Sequence, residues 1–429
     1  MKLEPVNKIQ GRIEVPGDKS ISHRVALIAA LASGVSEISN FSTAIDCGST
    51  LSCLQQLGIP IKRSEEKVWI SGDAEMKASH GPLDCGNSGS TMRILSGVLA
   101  AEDFTSVLTG DESLRSRPMG RIIKPLSEMG ATIRSTDGKA PVEIDGTSSP
   151  KPIIYELPVA SAQVKSAILF AGLKANGTTR VVEKVKSRDH TERLFNGFGV
   201  NVETDKDLSV TLNGPAGLTG GSVTVPGDTS SAAYFVAAAA LLPGSELLIR
   251  NVGLNPTRAA YLSVLTSWGF QIRTHGQRDE RNEPVGDVSI IGGIERGAAS
   301  ASHTLRGASI PSLIDELPLL AVVGSQIDGG VEIRDAAELR HKESDRLACT
   351  AKNLREMGVE VTEHDDGISV AGPVRLRGAR LNSFGDHRIA MAFSIAALVA
   401  DGPTEISGAD CVDISFPEFF SLLRSVVSA

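Results

Sequence analysis

One pattern recurs six times along this chain and constrains its fold more than any other feature: an Ala-rich apolar stretch, a Gly-containing turn, then a β-branched stretch. The copies run from Arg24 to Ile38, Met92 to Leu108, Lys165 to Val181, Ser231 to Ile249, Ile314 to Ile333 and Arg388 to Ile406. Each Ala-rich stretch predicts a helix that is apolar nearly all round, which is what a helix enclosed by sheets requires. The longest, Ala232 to Leu242 and Ile389 to Ala400, hold about a dozen residues and are too short to cross a bilayer. Between copies lie a second helix with a Leu-Gly or Met-Gly end, such as Leu126 to Gly130, and hairpin-like segments such as Ile61 to Ile70. The predicted unit is β-α-β-α-β-β, which makes this an α/β chain of repeated units.

Two copies match in letters as well as pattern. Val15-Pro16-Gly17-Asp18 precedes Lys-Ser, and Val225-Pro226-Gly227-Asp228 precedes Thr-Ser. A chain that leaves one lobe near Gly17 and returns near Gly227 has an inner lobe, residues 17–227, and an outer lobe, residues 1–16 and 228–429, with three units in each. The pattern alone also allows one continuous repeat array, and Pro-Gly-Asp is turn-prone on its own account.

Charge and cysteine usage narrow the function. The 43 Lys and Arg against 51 Asp and Glu leave a net charge of −8, and 4% aromatic residues are few for stacking bases, so a nucleic-acid surface is disfavoured. Five cysteines form no CxxC pair and lie near no His in zinc spacing, which predicts no metal site and a reducing, cytoplasmic compartment. The opening residues MKLEPVNK carry charges and a proline where an export signal needs an apolar run.

Against that acidic background, the cations gather at turns. Pro16-Gly17-Asp18-Lys19-Ser20-Ile21-Ser22-His23-Arg24 leads from a turn into a helix whose first turns hold Lys19, Ser20 and Arg24. An anion there meets free backbone N–H groups, a hydroxyl and two cations, although a capped helix with solvated basic residues reads the same way. Asp18 stands where a Walker loop needs Gly before Lys. Gly86-Asn87-Ser88-Gly89-Ser90-Thr91-Met92-Arg93 lets backbone approach a ligand, or is a plain turn. Gly110-Asp111-Glu112-Ser113-Leu114-Arg115-Ser116-Arg117-Pro118 sets two arginines before a proline that predicts a helix start.

In the second half, Glu338 to Arg346 packs seven ionisable groups into nine positions. It is either a solvated helix start or a cationic pocket in which Glu343, beside Lys342 and near Arg346, transfers a proton. Phe384-Gly385-Asp386-His387-Arg388 delivers His387 and Arg388 to the head of a buried helix, and Asp315 sits at the head of the fifth, as a cap or a ligand group. The pattern places every conspicuous cation, namely Lys19, Arg24, Arg93, Arg117, Lys342, Arg346 and Arg388, at a helix head, a field suited to small multiply anionic substrates.

These residues resemble those of the enolpyruvyl transferases, on their shikimate branch. PGDKSISHR, GNSGSTMR, GDESLRSRPM, SAQVKSA, SRDHTER, IDELP, LRHKESDR and GDHRIAMAF occur in the family's order from end to end of the chain. The resemblance implies two lobes of three βαβαββ units, acting as a monomer without metal or organic cofactor. It implies transfer of the enolpyruvyl group of phosphoenolpyruvate to the 5-hydroxyl of shikimate 3-phosphate by addition and elimination. By motif position it implies that Lys19 touches both substrates. Ser20, Arg24, Ser161, Ala162, Gln163, Ser187 and Lys342 hold shikimate 3-phosphate, with Asp315 on the reacting hydroxyl. Gly89, Arg117, Arg346 and Arg388 hold phosphoenolpyruvate, Glu343 exchanges the proton at C3 with help from Lys19, and Asn87, Arg93 and His387 are secondary candidates. Glyphosate competes with phosphoenolpyruvate in this family, and Gly89 leaves backbone space for it.

The chain departs from the family at Ala162, where some members carry a second serine, at Ile94, where many carry Pro, and at Ile414, where some carry Lys; His341 has no assignment. UDP-N-acetylglucosamine enolpyruvyl transferase, the nearest alternative, carries a loop cysteine, whereas no Cys lies between Arg93 and Ala160. A non-catalytic or nucleic-acid-end-binding protein of related repeat fold is the alternative of another class, and the acidic charge balance weighs against it.

Overall fold

Asp18, Ser88, Ser161, Asp228 and Asp386 stand immediately before five of the six Ala-rich helices, and each side chain accepts a backbone N–H two or three residues on. Such caps satisfy N–H groups that a helix start leaves open and contribute about 1 kcal/mol each. The helices span Lys19–Leu31, Gly89–Leu99, Ala162–Gly172, Thr229–Leu241, Leu317–Gly324 and His387–Leu398 in the computed structural model, which describes residues 1–294 and 303–428. Their all-round apolar character has the expected result: every residue from Thr229 to Ala240 and from His387 to Leu398 is buried.

Four of these helices cross over between two parallel strands: Leu83–Asp84 and Thr105–Thr109, Ile154–Glu156 and Gly177–Val182, Thr304–Leu305 and Val331–Ile333, Arg380–Asn382 and Thr404–Ser407. In the first of these sheets a hairpin, Thr132–Thr136 and Lys139–Asp145, then adds antiparallel to the second strand. The described strands form six sheets, and the same order of a parallel pair followed by an antiparallel hairpin recurs through them. The sheet containing Thr404–Ser407 differs: Lys2–Leu3 runs antiparallel on that strand in place of a hairpin.

The two Val-Pro-Gly-Asp turns exchange strands. Lys8–Glu14, ahead of Gly17, pairs in parallel with Glu246–Gly253, while Ser222–Thr224, ahead of Gly227, pairs in parallel with Val35–Ser39. The turns interlock through Asp18 N–H on the Pro226 carbonyl (2.7 Å) and Asp228 N–H on the Pro16 carbonyl (2.8 Å). Glycine is required at the first turn, because a Cβ on Gly17 would lie 1.8 Å from the Asn40 carbonyl oxygen.

The chain divides into two compact units, a terminal unit of Met1–Pro16, Gly227–Arg278 and Pro284–Ala429, and a central unit of Gly17–Pro226 with Asp279–Glu283. Each has its own apolar core. Nothing in the repeat pattern marks Asp279–Glu283, the hairpin tip that belongs to the central unit. Its Glu283 Oε1 lies 2.7 Å from His190 Nδ1, and its Arg281 donates to the Gly197 carbonyl at 2.8 Å. No single helix among the described residues is long and apolar enough to cross a membrane.

Candidate active site

In the central unit the capped helix heads carry the residues that motif position singled out. Lys19 opens its helix and donates from Nζ to Asp46 Oδ2 at 3.1 Å. Arg24, one turn on, is buried. Its Nε donates to Thr191 Oγ1 at 2.8 Å, its NH2 to Ser166 Oγ at 2.9 Å and its NH1 to the Ser20 carbonyl at 2.9 Å. Burial pushes the Arg24 guanidinium down to about 10, against the opposing pull of Glu192. Ser161 caps the helix that starts at Ala162, and Gln163 ties that helix to Gly89–Leu99, accepting from Arg93 NH1 at 2.8 Å and donating to Ser90 Oγ at 2.9 Å.

Asn87 joins the Gly86–Arg93 segment to Gly110–Pro118. Its Nδ2 donates to Asp111 Oδ2 at 2.7 Å, and its Oδ1 accepts from Arg117 NH2 at 2.8 Å. Gly89 faces both arginines, since a Cβ there would lie 2.8 Å from Arg93 NH1 and 3.6 Å from Arg117 NH1. The Ser187 hydroxyl is buried without a hydrogen-bond partner among the described residues, while its N–H donates to Glu183 Oε1 at 3.3 Å. A buried hydroxyl left open in this way suits a ligand oxygen.

The terminal unit is organised around Arg346. Its guanidinium serves three carboxylates: Nε reaches Asp386 Oδ2 at 2.8 Å, NH2 reaches Glu343 Oε2 at 2.7 Å, and NH1 reaches Asp315 Oδ1 at 3.3 Å. Burial works to lower its pKa, but Asp386, Glu343 and Asp315 outweigh burial and leave it raised. For Asp386, burial works to raise the pKa, and Arg346 and His387 overcome it and leave the carboxyl below its usual range. Arg388 NH2 lies 3.9 Å from Asp315 Oδ2, and NH1 donates to Glu316 Oε1 at 3.4 Å. Burial lowers the Lys342 pKa, with Asp315 opposing and Arg346 assisting. One guanidinium therefore holds the two acids expected to move protons, beside a second guanidinium and a lysine.

Some positions differ from the sequence expectation. Arg117 follows the short helix Glu112–Ser116, and the next helix opens at Gly120 rather than Pro118. Glu338 to Arg346 is not one helix start: a 3-10 turn covers Ala337–His341, and the helix begins at Arg346 because Asp345 caps it by accepting the Ala348 N–H. Arg346 thus heads the second helix of its repeat, not the Ala-rich one. The cap position of the fifth Ala-rich helix belongs to Glu316, and Asp315 instead accepts from Arg346 through Oδ1.

The sequence pattern assigns no role to Asp46, Lys165, Glu183, Glu192, Ser230, Arg258, Glu316 or Asp386. Lys165, 1% exposed, pairs with Glu183 Oε2 (2.7 Å) and Glu192 Oε1 (2.6 Å). A charge inside the apolar run KSAILFAG was the available signal for Lys165; the acids lie in ordinary polar contexts. Among the described residues no group of three His, Cys, Asp or Glu is placed to hold a metal ion.

Repeated βαβαββ units with capped, cation-bearing helix heads match the enolpyruvyl transferase fold. The enolpyruvyl transferase NikO of Streptomyces tendae, at 18% identity, superposes with a TM-score of 0.80 over 99% of this chain and 96% of its own, a likeness of fold alone. The chain belongs to the EPSP synthase (3-phosphoshikimate 1-carboxyvinyltransferase) family, whose profile matches residues 3–423. It is 49% identical to the 3-phosphoshikimate 1-carboxyvinyltransferase of Koribacter versatilis, covering 100% of this chain and 99% of that one. It is also similar to the EPSP synthase of Acinetobacter baumannii, with 40% identity and a TM-score of 0.88 over 99% of this chain and 98% of the other.

Proposed function

We propose that this chain transfers the enolpyruvyl group of phosphoenolpyruvate to the 5-hydroxyl of shikimate 3-phosphate and releases phosphate. The observation that carries the reading is the attachment of Asp315 and Glu343 to one Arg346 guanidinium, because addition and elimination each need a proton donor and a proton acceptor. In the addition, the hydroxyl oxygen bonds to C2 as its proton passes to Asp315, and C3 receives a proton from Glu343, assisted by Lys19. In the elimination, the C2–O bond to phosphate breaks, the departing phosphate takes up the proton held by Asp315, and a methyl proton returns to Glu343, which re-forms the double bond.

The proposed shikimate 3-phosphate contacts are Lys19, Ser20, Arg24, Ser161, Ala162, Gln163, Ser187, Asp315 and Lys342. Those for phosphoenolpyruvate are Lys19, Gly89 and Arg117, with Arg346 and Arg388; Asn87, Arg93 and His387 support them. The open Ser187 hydroxyl supports the first set, and the approach of Gly89 to Arg93 and Arg117 supports the second. Five cysteines without a disulfide favour a reducing compartment, so we place the reaction in the cytoplasm. The test is phosphate release from phosphoenolpyruvate. It is expected with shikimate 3-phosphate present, and release that does not depend on shikimate 3-phosphate overturns the reading.

A further inference from the structure

Glu316 has no place in the assignments above, yet it is 1% exposed and directly follows Asp315. Its Oε1 accepts from the Ser230 hydroxyl and, at 3.4 Å, from Arg388 NH1. Arg258, also buried, donates from NH2 to the same Ser230 Oγ at 2.5 Å. The Glu316 Oε2 is buried with no hydrogen-bond partner among the described residues. A half-satisfied buried carboxylate is costly. Burial pushes its pKa up against the pull of Arg388 and Arg258. A purely structural acid would be expected to use both oxygens.

The geometry around Arg388 supplies the reason for this arrangement. Its backbone N–H is held by Asp386 Oδ1 at 2.8 Å, and its NH1 by Glu316. Its NH2 stands 3.9 Å from Asp315 Oδ2, beyond hydrogen-bond distance. Released from Glu316, the guanidinium has a carboxylate within easy reach, and closing that gap would spend the anion-binding cation and the proton acceptor on each other. We propose that Glu316 is a positioning residue for phosphoenolpyruvate binding: braced by Ser230 and Arg258, it sets the direction of the Arg388 guanidinium and keeps it off Asp315. The proposal rests on the assignment of Arg388 to phosphoenolpyruvate given above.

The experiment separates position from charge. Glu316→Asp keeps the charge and withdraws the carboxylate by one methylene, whereas Glu316→Gln keeps the reach and removes the charge. With phosphate release as the readout, Glu316→Asp should raise KM for phosphoenolpyruvate about tenfold, more than Glu316→Gln does, and leave KM for shikimate 3-phosphate within about twofold. Ser230→Ala changes no charge and should move KM for phosphoenolpyruvate the same way by about threefold, which keeps the test open if a Glu316 variant does not fold. A purely structural role would lower the melting temperature and shift both KM values together or neither. That result, a larger effect in Gln than in Asp, or unchanged KM in Ser230→Ala overturns the proposal. An inactive wild-type protein, run alongside, would instead count against the proposed reaction.

Discussion

Arg346 Nε donates to Asp386 Oδ2 across 2.8 Å, and the two side chains are 2% and 0% exposed. Asp386 Oδ1 also accepts the Arg388 N–H, so one carboxylate starts the His387–Leu398 helix and aims the guanidinium that holds Asp315 and Glu343.

A lysine cannot reproduce a planar fork that serves three acids. Arg346→Lys should therefore lower kcat/KM on the order of 10²-fold or more. Arg355, whose ion pair with Glu363 is exposed, provides the control: Arg355→Lys should stay within about twofold. Steady-state kinetics on both variants checks this, and equal behaviour would remove Arg346 from the centre of the site.

Lys165 is the counter-charge of two buried acids, Glu183 and Glu192. Lys165→Met should cost about 3–5 kcal/mol, since it leaves both carboxylates buried and unpaired. Replacing all three residues with apolar side chains of similar volume should recover much of that loss. Urea denaturation of the two variants measures the difference.

His23 is buried, with Nδ1 2.7 Å from Thr50 Oγ1, and burial, with Lys19 and Arg24 nearby, lowers its pKa well below the ordinary value. As pH falls below the ordinary histidine range, the unfolded chain binds a proton at this position and the folded chain does not. Stability is therefore lost on acidification from about pH 6.5 downward, at up to about 1.4 kcal/mol per pH unit from this group. His23→Gln should flatten the fall in unfolding free energy between about pH 6.5 and 5. An unchanged slope would mean that His23 titrates normally in the folded protein.

The repeat was legible because helix periodicity and turn chemistry are local: the Ala-rich runs, their Ser and Asp caps and the two Val-Pro-Gly-Asp turns all lie within a few residues of what they determine. Lys19, Arg93 and Arg388 were legible for the same reason. The partnership of Arg346 with Asp386 spans forty residues, and that of Arg24 with Ser166 spans 142, so packing and not spacing creates them. Glu316 was hidden differently, because beside Asp315 it reads as one more acid at a helix start, and its burial between Ser230 and Arg388 has no local sign.

Gly89 admits no side chain without moving Arg93, since a Cβ would lie 2.8 Å from its NH1. Gly89→Ala should weaken inhibition by glyphosate, longer than phosphoenolpyruvate, about tenfold or more, and raise KM for phosphoenolpyruvate by less. Inhibition curves at fixed phosphoenolpyruvate decide it, and an unchanged half-inhibitory concentration would show that another position sets sensitivity.

In the proposed reaction Glu343 exchanges a proton with C3 of phosphoenolpyruvate through an intermediate bearing a methyl group. Running the reaction in D2O and following the C3 protons by NMR tests this directly. The wild-type protein with both substrates should put deuterium at C3 while phosphate is released, and Glu343→Gln should slow both by about 10²-fold or more. Phosphate release without deuterium at C3, or a Glu343→Gln variant that exchanges at the wild-type rate, would contradict it.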